Sequence, residues 1–220
     1  MRNVRVAFAA MAVLLAGSVP SSAAESAHTR HLIYLHGRIV QEQQSARPRH
    51  PQFGYYELEK ILNVFRERRF EVSGEIRPKA ATVSESADKV VAQVRRLLES
   101  GVAADHVTVV GASMGASIAL QAAARLQKPD VRFCVLGACL SETVRSLLAE
   151  EGKAPSGHVL SIREASDDST SACRPWKNDL DSRSGLVVRE IVLSTGLKHG
   201  FLFLPIPEWV NPVVEWADAR

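Results

Sequence analysis

From residue 31 onward, short apolar runs alternate with amphipathic stretches, and the two kinds of pattern predict different elements. Residues 31–35, His-Leu-Ile-Tyr-Leu, predict a buried strand. The polar stretch from Arg38 to Phe53, rich in Gln, Arg and Pro, predicts a loop. Leu58, Ile61, Leu62 and Phe65 stand at i, i+3, i+4 and i+7, one face of a helix. A second strand is predicted over 70–76. Thr82 and Glu85 have capping-box spacing and open a helix with an apolar face of Ala87, Val90, Val91, Val94, Leu97 and Leu98. Gly101 stops it. A third strand covers 106–110. A helix of small residues runs from Met114 to about Gln127, and three more strands are expected over 131–137, 157–162 and 187–194. A last helix covers 207–218, with Pro207 near its first turn.

Strands that alternate with helices predict a parallel sheet covered on both faces. In such sheets ligands bind beyond the carboxyl ends of the strands. The residues that follow each strand are therefore the ones to search for chemistry.

After the third strand stands Gly111-Ala112-Ser113-Met114-Gly115. The G-x-S-x-G string gains meaning from its context, a Val-rich strand before it and an Ala-rich helix after it. A serine on so sharp a turn is held in a strained conformation. Side chains two positions to either side would collide with it, so glycine suits both places. The turn lifts the serine oxygen clear of the sheet and aims the start of the next helix at the same spot. Ser113 is thus the candidate nucleophile, and the structural alternative is a glycine-rich turn with a bystander serine. Acyl transfer needs two N–H donors for the oxyanion. Met114, after the nucleophile, supplies one. The second is expected from His36-Gly37-Arg38 after the first strand, through the Arg38 N–H. Gly37 allows close approach there, and His36 is expected to hold the loop by hydrogen bonds.

Among the histidines, His199 has the right setting for a base: a glycine-flanked loop after the last strand, Gly196-Leu197-Lys198-His199-Gly200. His28, His31, His50, His106 and His158 lie beside the N-terminal segment, at strand starts or in the polar loop. The base needs a carboxylate to fix its tautomer. Asp167 is favoured in Glu164-Ala165-Ser166-Asp167-Asp168, with Asp168 and Glu164 as alternatives; the acids not used are expected to be solvated loop charges or caps.

Composition narrows the class. With 220 residues, 46% hydrophobic and 23% charged, the chain reads as an ordinary globular protein with one sizeable core. Arg2 and Arg5, an apolar run from Val6 to Ala16 and the small residues Ser22-Ala23-Ala24 have the order of a secretory signal, 1–24, leaving a single domain over 25–220. The run is too short to span a bilayer. Export to the periplasm or the exterior is therefore expected, without stable membrane insertion. Removing the segment lowers the formal charge from +3 to +1, which gives no case for nucleic-acid binding. Of three cysteines, Cys134 is expected to pack in a strand, and Cys139 and Cys173 are a candidate disulfide. Their spacing fits no zinc pattern. Arg38, Arg77 and Lys79 follow strands, Lys198 abuts His199, and Arg47, Arg49 and His50 lie in the polar loop. Facing the mouth, they would favour an anionic substrate; otherwise they are surface charges.

With these residues in place, the chain resembles the α/β-hydrolase superfamily over roughly 31–218, and most of all its small exported bacterial members. The likeness rests on Gly111 to Gly115, His36-Gly37, and the chain order Ser113, Asp167, His199. It implies a three-layer α/β-hydrolase fold with a minimal, mostly parallel six-stranded sheet. It implies nothing about substrate; the residues themselves read as a serine hydrolase that cleaves a small-molecule ester, thioester or small amide through an acyl-enzyme, with no metal or organic cofactor required. Only 138–156 is available where larger lipases carry a lid, so no large lid is expected. Two alternatives stand beside this reading: a non-catalytic binding protein on the same scaffold, and an acyltransferase using the same triad.

Overall fold

The computed structural model describes residues 29–138, 152, 154–169 and 186–219. Strand β1 (Arg30–Leu35) leads into a short helix α1 (Arg38–Gln43) and a small antiparallel hairpin, β2 (Arg49–His50) with β3 (Gly54–Tyr55). Then follow α2 (Leu58–Arg66), β4 (Phe70–Ser73), α3 (Val83–Glu99), β5 (Val107–Ala112), α4 (Met114–Leu126), β6 (Arg132–Leu136), β7 (His158–Glu164), β8 (Val187–Leu193) and α5 (Pro207–Asp218). Six strands pair in the order β4-β1-β5-β6-β7-β8, every pair parallel.

The central strands read as continuous apolar runs because both faces of the sheet are covered. Along β1, Ile33 and Leu35 enter the core under α3 and α4, while Leu32 and Tyr34 enter the core under α2 and α5. Strand β6 divides the same way, with Phe133 and Val135 on one side and Cys134 and Leu136 on the other. Helix α2 buries Leu58, Ile61, Leu62 and Phe65. Helix α3 opens on the Thr82–Glu85 capping box and buries Ala87, Val90, Val91 and Val94, with Leu97 and Leu98 packed partly against them. Among the described residues, no helix is long and apolar enough to cross a membrane.

The expected polar loop over 38–53 is instead structured. Helix α1 is only six residues long, less than two turns, and ends on Gln44 in the left-handed region (φ 47°) rather than on a glycine, so neither periodicity nor a stop signal marks it. The second strand stops at Ser73, short of 76, and just beyond it Gly74 lies close to Leu62: a Cβ there would sit 2.5 Å from the leucine Cδ2. Cys134 is fully buried, and burial pushes its thiol pKa upward. Cys139 and Cys173 lie outside the described residues, as do the expected signal, 1–24, and most of 138–156.

From β1 the chain winds to β4 on one side and then to β5 on the other. The carboxyl ends of β1 and β5 therefore flank a topological switch point, where α/β sheets open a crevice. His36-Gly37-Arg38 and Ser113 stand at those two ends.

Candidate active site

Ser113 occupies the turn between β5 and α4 with φ 53° and ψ −116°, a region an L-residue enters only under constraint. Its N–H donates to the Leu136 carbonyl (2.8 Å), and its own carbonyl accepts from Ala116 (2.9 Å). The flanking glycines are required by backbone proximity. A Cβ on Gly111 would sit 2.2 Å from the Gly115 oxygen, and one on Gly115 would sit 2.0 Å from the Leu35 oxygen at the end of β1. The start of α4 is thus pressed against the loop that carries His36.

His199 lies in a 3-10 turn after β8, Lys198–Leu202. Its Nε2 is 3.0 Å from Ser113 Oγ, and its Nδ1 is 2.6 Å from Asp167 Oδ2. A carboxylate only accepts, so Nδ1 carries the proton and Nε2 is left to accept from the serine hydroxyl. Asp167 is buried, and its other oxygen accepts from the Ser169 N–H (3.1 Å) and hydroxyl (2.5 Å). The Ser169 Oγ is also 3.4 Å from His199 Nδ1. Asp168 is exposed. Of the three competing acids, Asp167 is the one that meets the histidine.

Glu164 is not the solvated charge or cap that its loop position suggests. It closes β7, is 1% exposed, and accepts five hydrogen bonds. Ser166 gives its N–H and hydroxyl (3.2 and 3.0 Å), Thr195 its N–H and hydroxyl (2.9 and 2.7 Å), and Gly196 its N–H (3.3 Å). Burial pushes its pKa up, but the donors from Thr195 and Ser166 outweigh burial and hold it down at about 2. Ser166 Oγ in turn accepts from the Lys198 N–H (3.1 Å). One carboxylate therefore splices the loop bearing Asp167 to the loop bearing His199.

On the opposite side, Arg38 and Met114 are the first residues of α1 and α4. Their N–H groups have no intrahelical acceptor and stand at the positive ends of their helices. Gly37 lies close to the nucleophile: a Cβ there would be 3.6 Å from the Ser113 Cβ. His36 is fully buried; its Nε2 accepts from the Arg77 N–H (3.1 Å), and its Nδ1–H donates to the Gly37 carbonyl (2.8 Å). The planar trans peptide points its C=O and N–H in opposite directions. Pinning the Gly37 carbonyl therefore fixes the Arg38 N–H. Burial and the nearby Arg77 charge lower the His36 pKa to about 4.

The hairpin that replaces the predicted loop forms an aromatic wall beside His199. Phe53 stacks on His50 (centroids 4.6 Å), lies 6.5 Å from the His199 ring and meets Phe203 edge-on at 5.4 Å. The approach to Gly200 is tight, since a Cβ there would be 3.0 Å from the Phe53 ring. The basic residues near the strand ends do not share one setting. Arg38, Lys79 and Lys198 are exposed, but Arg47 is paired with Glu57 (2.9 Å), and Arg77 is buried behind the His36 loop. A cavity of about 770 Å³ between the β1–β4 edge and α3 includes neither Ser113 nor His199 in its walls. The chemistry is located by hydrogen-bond geometry, not by this cavity.

No protein-family model and no curated protein matches the chain. Solved structures do. An α/β hydrolase enzyme from a Medee basin deep-sea metagenome library superposes with TM-score 0.55 at 11% identity, covering 90% of this chain and 87% of its own. A YdeN-like hydrolase from Pectobacterium atrosepticum matches with TM-score 0.52 at 13% identity, over 89% of this chain and 94% of its own. A thermophilic esterase from the Planctomycetes species Thermogutta terrifontis, solved with butyrate bound, matches with TM-score 0.52 at 14% identity, over 88% and 83%. The chain has the α/β-hydrolase fold, a six-stranded parallel sheet with helices on both faces. At such identities the likeness is one of fold.

Proposed function

We propose that the protein is a serine hydrolase that cleaves a small carboxylic ester through an acyl-enzyme. One observation carries the reading: His199 Nε2 lies 3.0 Å from the Ser113 hydroxyl while its Nδ1–H is fixed at 2.6 Å by a buried Asp167. In the first step Ser113 Oγ attacks the ester carbonyl as its proton passes to His199 Nε2. The carbonyl oxygen becomes an anion facing the Arg38 and Met114 N–H groups. His199 then gives the proton to the departing alcohol as the carbon–oxygen bond breaks. Water attacks the acyl-serine, losing a proton to the same nitrogen, and the acid leaves with Ser113 restored.

The fold of the esterase and hydrolases above supports this reading, as does the strained backbone at Ser113, which the protein maintains at a cost of about 1–3 kcal/mol. The test is labelling by a fluorophosphonate probe together with turnover of 4-nitrophenyl esters of rising chain length. Wild-type protein is expected to label and turn over. Ser113→Ala is expected to lose the label and more than about 10⁴-fold of kcat. An unlabelled wild-type protein, or an alanine variant with unchanged turnover, overturns the proposal.

A further inference from the structure

Arg77 is 5% exposed, and among the described residues no carboxylate lies within ion-pair distance of it. Burial lowers its pKa to about 10, so it remains a cation at neutral pH. The groups that couple to it electrostatically are the buried phenols Tyr34 and Tyr56, whose hydroxyls are 2.7 Å apart, and the neutral His36 ring. Burial raises both above the ordinary phenol range, so neither supplies a counter-charge. A buried guanidinium without an anionic partner is costly, and proteins keep such violations chiefly at functional sites.

The contacts of Arg77 converge on one segment. Its N–H donates to His36 Nε2 (3.1 Å), its Nη2 to the His36 carbonyl (2.6 Å), and its Nε to Gln41 Oε1 of α1 (3.0 Å). Among the described residues the third nitrogen, Nη1, has no hydrogen-bond partner. His36 passes the constraint to the Gly37 carbonyl, and the other end of that peptide is the Arg38 N–H. We propose that Arg77 is a positioning residue whose unanswered charge, fixed behind the His36–Arg38 loop, favours the oxyanion that forms in front of it. This rests on the acyl-enzyme reading and deepens it: the positive charge is answered only while the reaction holds negative charge at the Arg38 and Met114 amides. Removing a direct oxyanion donor costs about 10²–10³-fold, and an indirect charge is expected to contribute less.

Two neutral variants, Arg77→Met and Arg77→Gln, and one charged variant, Arg77→Lys, test this. Substrate is 4-nitrophenyl acetate. The transition-state probe is an alkyl trifluoromethyl ketone: Ser113 Oγ adds to its carbonyl, the proton goes to His199, and the former carbonyl oxygen becomes the anion. Both neutral variants are expected to lose about tenfold to a hundredfold in kcat and in ketone affinity, with KM within about twofold. Their unfolding midpoint is expected to change little, because the relief of a buried charge offsets the His36 and Gln41 acceptors left without a donor. Arg77→Lys is expected to stay within about threefold of wild type in kcat. A folded neutral variant with wild-type kcat overturns the proposal. So does Arg77→Lys being as impaired as the neutral pair, or neutral variants that fail to fold, which would assign Arg77 to stability alone. Wild-type protein that a fluorophosphonate does not label removes the underlying acyl-enzyme reading, a separate failure.

Discussion

Two loops meet over Ser113, one from β1 and one from the β7–β8 end of the sheet, and each is anchored on a buried charge of opposite sign. Behind His36-Gly37-Arg38 is the cation Arg77; beneath Asp167 and His199 is the anion Glu164. Their satisfaction differs. Glu164 accepts five hydrogen bonds, and its donors hold its charge in place. Arg77 makes its hydrogen bonds to neutral acceptors, and among the described residues its Nη1 has no partner. Each anchor is opposite in sign to the charge that the proposed acyl transfer would build beside it, negative at the Arg38 and Met114 amides and positive at the imidazole. Preorganised charge of this kind needs no rearrangement when the reaction occurs. The difference separates a fully satisfied buried charge, which staples two loops, from a partly satisfied one, which on the proposal above favours the oxyanion.

The largest expected effect breaks the base side alone. Asp167→Asn preserves shape but no longer fixes the imidazole tautomer, and about 10³–10⁴-fold of kcat is expected to go. Asp168→Asn, one residue away and exposed, is expected to leave kcat within about twofold. Steady-state kinetics on one ester decide it, and equal losses from both variants would remove the distinction between the two acids.

That pair also marks how far the sequence could be read. Buried apolar strands, the α2 and α3 faces and the Thr82–Glu85 cap are local patterns, and they predict elements close to those observed. Gly111 to Gly115 is legible because each glycine answers a backbone collision within the same turn or with the neighbouring strand. What the sequence hides is tertiary. Glu164 follows an apolar run and looks like a loop acid, yet its donors Thr195 and Gly196 stand 31 and 32 residues away. Arg77 looks like a surface cation beside Pro78 and Lys79, yet it is buried against the His36 segment and α1. Helix α1 is too short to show a period and lacks a glycine stop. No local signal precedes the aromatic wall at Phe53, because Phe203 and Gly200 come from the far end of the chain.

Acid is expected to separate the two sides by the pH at which each loosens. His36 stays neutral when folded down to about pH 4, but in the unfolded chain it binds a proton below about 6.5. Its contribution is whole above that value and is lost as pH falls from about 6.5 to about 4, on the order of 3 kcal/mol. Glu164, ionised when folded down to about pH 2, contributes above its unfolded value of 4.5 and loses that contribution only between 4.5 and about 2. Urea unfolding across this range is the measurement. His36→Asn is expected to flatten the upper window relative to wild type and leave the lower one. Parallel curves for the two proteins would show that His36 protonation does not loosen the oxyanion side.

The smallest expected effect is also the sharpest way to tell the two sides apart. The Ser169 hydroxyl is 2.5 Å from Asp167 Oδ1, on the oxygen that does not face His199. Ser169→Ala removes that donor, while the backbone N–H at 3.1 Å remains. With one contact fewer on Asp167, the carboxylate that orients His199 is less firmly placed, and kcat is expected to fall about three- to tenfold. Ser169→Thr, which keeps a hydroxyl, is expected to restore it. Combined with Arg77→Met, the loss is expected to be the product of the two single losses, because Arg77 acts on the carbonyl oxygen and Ser169 on the acid behind the imidazole. A double variant no slower than Arg77→Met alone, by steady-state kinetics, would mean that the opposed charges act on Ser113 as one field rather than on two separate partners.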